Sequence, residues 1–248
     1  MKGKISSLFE FLPWDSKLFN IRIARIKSNS LNRQEINHCK RWCFDNNINC
    51  IYYLIDPDKI NSIYLAESNG FHLVDIRVTL ETDLLVNPYV NIQSQEIMPL
   101  TRAATRNDID EIKKIAGKNH YQTRFFKDKR FPRDKSAELY KLWIKQGFED
   151  IHGIVLVAQV KKKIAGYIVL QMDDNYTGII GLTGVDKNFR NKGVGAALIG
   201  AALNWFKVNG AKRATVVTQG NNMPAMRLYS KFGFLTFENM LWYHRWFE

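Results

Sequence analysis

No apolar run in this 248-residue chain approaches the roughly 18 residues that a bilayer-spanning helix requires. The opening stretch MKGKISSLFEFLPWDSK also lacks the unbroken apolar core of a secretory leader. The expectation is a cytoplasmic protein with no membrane partner. Cysteine is scarce too: three residues, Cys39, Cys43 and Cys50, all in the first quarter with only His38 beside them. Cys39 and Cys43 share one helix face, but no second ligand cluster completes a metal site. Buried reduced thiols and no bound metal are therefore expected. Acidic residues are in the minority, 24 against 36 lysines and arginines, so the net charge is +12 and an anionic partner is favoured. The basic residues are spread along the chain, and the densest run, Lys161-Lys162-Lys163, lies between two apolar segments where a hairpin turn belongs. Phosphorylated small molecules, rather than nucleic acid, are the partners this pattern favours. With 46% hydrophobic and 12% aromatic residues, the composition is that of a globular protein and excludes a disordered chain.

The two halves differ in regularity. From Gly153 onward, Ile154–Val160, Ile164–Met172 and Gly178–Val185 read as three consecutive strands separated by polar turns. A helix follows, with Leu198, Ala201, Ala202 and Trp205 at helical spacing and Asn209-Gly210 to stop it. Ala214–Gln219 is a further strand, Met223–Phe232 a helix ended by Gly233, and Phe234–Phe247 supplies the last strands. Upstream, LTRAATRNDIDEIKKIAG reads as a strand and then a helix capped by Asn107 or Asp108. The first part reads as strand 21–26, helix 31–46, strand 51–55, helix 59–69 and a long strand 71–84. A boundary is expected within 87–98, giving an N-terminal domain over residues 1–90 and a second over 98–248. Tyr64–Val74 and Arg227–Phe237 echo each other, with Leu65 over Leu228 and Gly70 over Gly233. If they are repeats, the first has lost the glycine loop of the second and carries Ala66 where Tyr229 stands.

That loop, FRNKGVGAALIGAALNWFK, sets two glycines two apart against a helix start. Helix N-termini offer unpaired amides and the positive dipole end, so the loop is a phosphate seat. A dinucleotide fingerprint is excluded because Leu198 stands where its third glycine belongs, and a P-loop because Gly-Lys-Ser/Thr is missing. What remains is Arg/Gln-x-x-Gly-x-Gly/Ala, present as Arg190-Asn191-Lys192-Gly193-Val194-Gly195. Together with the preceding GIIGLTGVD and the following NMPAMRLYSKFGF, this resembles the GNAT superfamily of N-acetyltransferases over roughly 150 residues. The stretches FLPWDSKLFN, ESNGFHLVDIRVTLE and YQTRFFKDKRFPRDKSAELYKLWI are similar to the TDP-fucosamine acetyltransferases. The resemblance implies an α/β (α+β) GNAT fold. Its mixed, mostly antiparallel central sheet is flanked by helices, and an incomplete GNAT-like N-terminal domain comes before it.

It also implies acetyl-CoA as co-substrate and a nucleotide-linked 4-amino-4,6-dideoxy sugar as acceptor. On this reading Leu182, Thr183, Gly184 and Val185 polarise the thioester carbonyl. Lys192, Gly193, Val194, Gly195 and Ala196 hold the pyrophosphate, with Arg190 adding charge at the rim. Asn222 contacts CoA or a water network, its plainer role being that of a helix cap. Tyr229 gives a proton to the leaving thiolate, its plainer role being core packing beside Leu228. Tyr121, Arg124 and Phe125 open a basic, aromatic segment that either grips a nucleotide diphosphate or is a solvated loop. The general base has no single candidate; His152, Asp186 and Glu238 are open. So are other acceptors, a protein N-terminus, a lysine or an aminoglycoside, and a non-enzymatic CoA or RNA binder. The aromatic run MLWYHRWF suggests burial against a second copy, a homodimer.

Overall fold

The computed structural model describes residues 8–91 and 99–247. The expected linker at 87–98 lies, from residue 92 on, outside the described residues. The chain forms two compact units that interleave in sequence. One holds the residues up to Arg77, Thr123–Lys135, and those from Asn239 on; the other holds Val78–Gln122 and Ser136–Glu238.

In the first unit, β1 (Phe9–Phe11) leads through α1 (Pro13–Phe19) to β2 (Ile23–Ile26), which pairs antiparallel with β1. Helix α2 (Arg33–Asp45) starts at a reciprocal cap: the Asn32 side chain accepts from the Glu35 amide, and Glu35 accepts from the Asn32 amide. The helix is the crossover that sets β3 (Cys50–Ile55) parallel to β2. Its apolar stripe buries Ile36, Cys39 and Cys43, and all three cysteines are free and buried. Helix α3 (Ile60–Ser68) ends at Asn69 and Gly70, whose φ of 78° needs no Cβ, and β4 (His72–Asp83) begins in this unit.

The second unit is a run of antiparallel neighbours. Strands β5 (Leu100–Ala103), β6 (Gly153–Val160), β7 (Lys163–Met172) and β8 (Thr177–Val185) pair in sequence order. Helices α4 (Ile109–Asn119), α5 (Arg124–Lys127) and α6 (Arg133–Glu149) intervene between β5 and β6, α5 lying in the first unit. The basic run does make the β6–β7 turn, with Lys161 and Lys162 in the left-handed region at φ 48° and 64°. Helix α7 (Val194–Val208) carries the chain from β8 to β9 (Arg213–Gln219), which is parallel to β8. The side of α7 bearing Leu198, Ile199, Ala202, Leu203 and Phe206 is buried on the sheet. The fit is close: a Cβ on Gly178 would lie 2.4 Å from the Phe206 ring. Helix α8 (Met223–Lys231) precedes β10 (Leu235–Trp246), a single twelve-residue strand where two or more were expected. Residues Leu241–Trp246 of β10 pair antiparallel with β3; Tyr243 and His244 are buried there, while Leu241, Trp242 and Trp246 are partly exposed.

The start of α4 is fixed by charge. Asp108 receives both guanidinium nitrogens of Arg102 at 2.8 and 2.9 Å, together with the amide and hydroxyl of Thr105. Arg102 holds the Asp108 carboxyl well below the usual carboxylate range. A depressed folded-state value stabilises the fold above the unfolded value of about 3.9 and loses that contribution as pH falls through the folded value. Asp108→Asn is expected to cost about 1–2 kcal/mol at pH 7 in chemical denaturation. The gap between the two proteins should close as the pH drops below about 4.

Candidate active site

The site begins with an irregularity in β8. Val169 pairs with Leu182 and Leu170 with Ile180, so Gly181 is an extra residue, a β-bulge. Parallel pairing of β8 with β9 runs only from Thr177/Arg213 to Ile180/Val216, although β8 continues to Val185 and β9 to Gln219. Past the bulge the two strands part. Leu182, Thr183, Gly184 and Val185 keep β7 on one edge, and the edge that faced β9 is open. Unpaired amides along such an edge can donate to a carbonyl that develops negative charge.

The glycine loop lies where β8 hands over to α7. Asp186 caps the short turn Lys187–Phe189, accepting from the Asn188 amide at 2.8 Å. Asn191 and Gly193 both take left-handed backbone, φ 59° and 77°. The first bond of the helix ladder runs from the Ala197 amide to the Gly193 carbonyl, 2.9 Å. The amides of Val194, Gly195 and Ala196 thus precede it without an intrahelical acceptor. Arg190, Asn191, Lys192 and Gly193 are exposed, and a Cβ on Gly195 would lie 2.9 Å from Leu228 Cδ2. Arg190 donates to the Asn119 side chain at 2.6 Å, which anchors the loop to the end of α4, and Lys192 donates to the Asn188 carbonyl at 3.0 Å. Amides without an intrahelical acceptor, absent side chains and nearby cations suit a pyrophosphate, and the open β8 edge suits a carbonyl beyond it.

Tyr229, on α8, is buried, and its hydroxyl stands 3.5 Å from Thr183 Oγ1. Burial pushes its phenol pKa up, opposed by the contact with Thr183, so it is protonated at neutral pH. The ring packs against Phe234 at 5.7 Å while the hydroxyl points at the open strand. Asn222 caps α8, accepting from the Ala225 amide at 3.4 Å, and its amide group donates to Thr218 at 3.2 Å. The open base candidates are scattered: His152 is exposed at the entry to β6, Asp186 is occupied as a cap, and Glu238 is exposed in β10. Two residues of unit two that the sequence did not single out are close to β8. His120 Nε2 lies 2.8 Å from the Tyr167 hydroxyl, and the Tyr167 ring is pressed on Gly184.

Of the basic, aromatic segment, Tyr121 is exposed in the second unit, whereas Arg124 and Phe125 belong to the first. Phe125 is buried among Phe19, Tyr52 and Phe131, so it is core and backs its neighbour. The Arg124 guanidinium is enclosed by three rings, Tyr52, Phe125 and Trp242, at 4.1–4.3 Å. It donates to His244 Nε2 at 3.0 Å, which puts the imidazole proton on Nδ1, and that nitrogen donates to Asp128 at 2.8 Å. Among the described residues no group of three or more His, Cys, Asp or Glu side chains could hold a metal ion, and no helix is long and apolar enough to cross a membrane.

A mixed sheet parted at one strand is followed by a helix that opens on a glycine loop. Residues 117–234, a little under half of the chain, match the acetyltransferase (GNAT) family. The chain is 26% identical over 140 residues to the spore coat polysaccharide biosynthesis protein SpsD of Bacillus subtilis, covering 56% of this chain and 48% of that one. It is 26% identical over 178 residues to the dTDP-fucosamine acetyltransferase of Escherichia coli, covering 71% and 72%. The match thus spans about half the length of the first relative. In fold it is similar to a GCN5-related N-acetyltransferase from Sphaerobacter thermophilus, TM-score 0.67 at 13% identity, covering 96% of this chain and 76% of that one.

Gly195→Val tests the loop. The Leu228 methyl that it meets is the end of a flexible side chain, so the melting temperature should move by only a few degrees. Acetyl-CoA should bind at least about tenfold more weakly by isothermal titration, a loss of about 1.4 kcal/mol.

Proposed function

We propose that the protein transfers acetyl from acetyl-CoA to the 4-amine of a TDP-linked amino-deoxy sugar, by direct attack in a ternary complex, for surface polysaccharide synthesis. The observation that carries this reading is the pairing of an open β8 edge with a protonated phenol, Tyr229, aimed at it from α8. The acceptor class is supported by similarity to relatives named for spore coat polysaccharide biosynthesis and for dTDP-fucosamine acetylation. The net charge of +12 suits a doubly phosphorylated acceptor and disfavours a cationic aminoglycoside. In this reading residues 98–248 are the catalytic domain and residues 1–90 an incomplete GNAT-like scaffold. The protein acts in the cytoplasm, where its nucleotide-sugar substrate is made, and assembles as a homodimer.

Acetyl-CoA supplies an activated thioester. The chain's residues do the rest. Amides of Lys192 to Ala196 receive the pyrophosphate, and Arg190, steadied by Asn119, adds charge beside it. Amides of Leu182 to Val185 stabilise the oxyanion as the amine forms the new C–N bond, an effect worth a few kcal/mol for such preorganised donors. Tyr229 gives its proton to the sulfur as the C–S bond breaks and recovers one from solvent. Asn222 fixes the start of α8 and with it the direction of Tyr229. Tyr121, exposed in the second unit, is the residue of the basic, aromatic segment assigned to the nucleotide diphosphate.

Thiol release from acetyl-CoA, measured against TDP- and UDP-linked 4-amino and 3-amino sugars, an aminoglycoside and N-terminal peptides, tests the assignment. Turnover should be confined to a nucleotide-linked amino sugar. Tyr229→Phe should lower kcat about 100-fold or more while leaving the KM for acetyl-CoA nearly unchanged. Turnover of peptides alone would replace the sugar by a protein acceptor.

A further inference from the structure

Acetyl transfer leaves a proton on the attacking nitrogen, and none of the carboxylates or histidines legible in the sequence lies ready to take it. The structure offers a different route. Thr183 and Gly184 are consecutive residues of β8, so their side-chain directions point to opposite faces of the sheet. Tyr229 stands at Thr183. On the other face Tyr167 is paired with Gly184, and a Cβ there would lie 2.5 Å from the Tyr167 ring and 3.0 Å from its hydroxyl oxygen. Only glycine lets that phenol come so close to the strand. The Tyr167 side chain is fully buried, and its hydroxyl is 2.8 Å from His120 Nε2. The His120 ring stacks on Tyr140 of α6 at 4.4 Å and 13°. His120 follows Asn119, the residue that anchors Arg190, so the end of α4 holds both the loop and this phenol.

We propose that Tyr167 and His120 form the proton exit for the attacking amine, on the face of β8 opposite to the proton donor Tyr229. This rests on the acyl-transfer reading of the site but not on the identity of the amine. As the C–N bond forms, the nitrogen's proton passes to the Tyr167 oxygen while the phenol's own proton passes to His120 Nε2. The C–S bond breaks as the sulfur takes the Tyr229 proton. The His120 imidazolium then releases its proton to solvent, which the partly exposed residue can reach. Tyr167 is the catalytic residue of the pair, and His120, acting through it, is a positioning residue that also relays the proton. Enclosure holds the imidazole pKa down to about 4, so His120 is neutral at pH 7 and passes the proton on rather than storing it.

The test has two arms on the full chain. In the first, 15N NMR of imidazole-labelled protein reads the state of His120 directly: Nε2 should carry no proton at pH 7 and should not titrate above about pH 5. A proton on Nε2 at pH 7 overturns the proposal whatever the substrate is. In the second, His120→Gln and Tyr167→Phe are assayed with whichever amine the unaltered protein acetylates. Each should lower kcat by about 100-fold, with the KM for acetyl-CoA and the melting temperature unchanged. A kcat within threefold of the unaltered protein in either variant overturns it. Failure of every sugar in the acceptor panel would refute the acceptor assignment alone, since the NMR arm needs no acceptor.

Discussion

The parting of β8 from β9 is the constraint on which the rest of the site depends. Parallel strands that paired along their whole length would satisfy every amide between them and leave nothing to offer a ligand. One extra residue, Gly181, changes this by turning the strand out of register with β7 and away from β9. The cost is a set of open backbone donors in a sheet interior, which is tolerable where a ligand completes them. The helices respect the same gap. The N-terminal amides of α7 lie at the end of β8, where it opens, and α8 aims Tyr229 into the opening.

Glycines are used in this region for three separate reasons. Gly193 supplies a left-handed backbone that sets up the start of α7. Gly195 leaves room for close approach beside Leu228, and Gly184 leaves room for Tyr167. The last of these is the least visible in a sequence. A glycine in a strand is usually read as a weak point, and its partner is seldom guessed. Here the partner is a buried phenol that a single methyl group would displace.

Much of the second unit was legible in the sequence. The strands from Ile154 to Val185, the helix after the loop and the one ending at Gly233 follow from period-two and period-3.6 patterns and from sharp glycine stops. The Lys161–Lys163 turn was legible because a charged run between apolar strands has few other uses. Residues of the loop and Tyr229 could be named because their spacing is local. His120, Tyr167 and Asn119 could not, since their meaning lies in contacts 47 and 71 residues away in the chain, which no period encodes. Phe125 misled for a related reason: aromatic residues within a basic segment look like a binding surface, yet this one is spent on the core around Arg124. The aromatic run at the end pairs with β3 from Leu241 to Trp246 and is buried on both faces, at Tyr243 and His244, a two-sided burial that no single alternation encodes.

The pairing of β3 with Leu241–Trp246 joins residues separated by nearly the whole of the second unit. During synthesis β1, α2 and β3 emerge before the second unit, and the strand that pairs with β3 emerges after it. Loop-closure entropy for so long a span must be met before the contact rewards it. The first unit is therefore early in sequence and late in folding, and during synthesis its exposed β3 edge waits on a second unit that can already have closed around its own core.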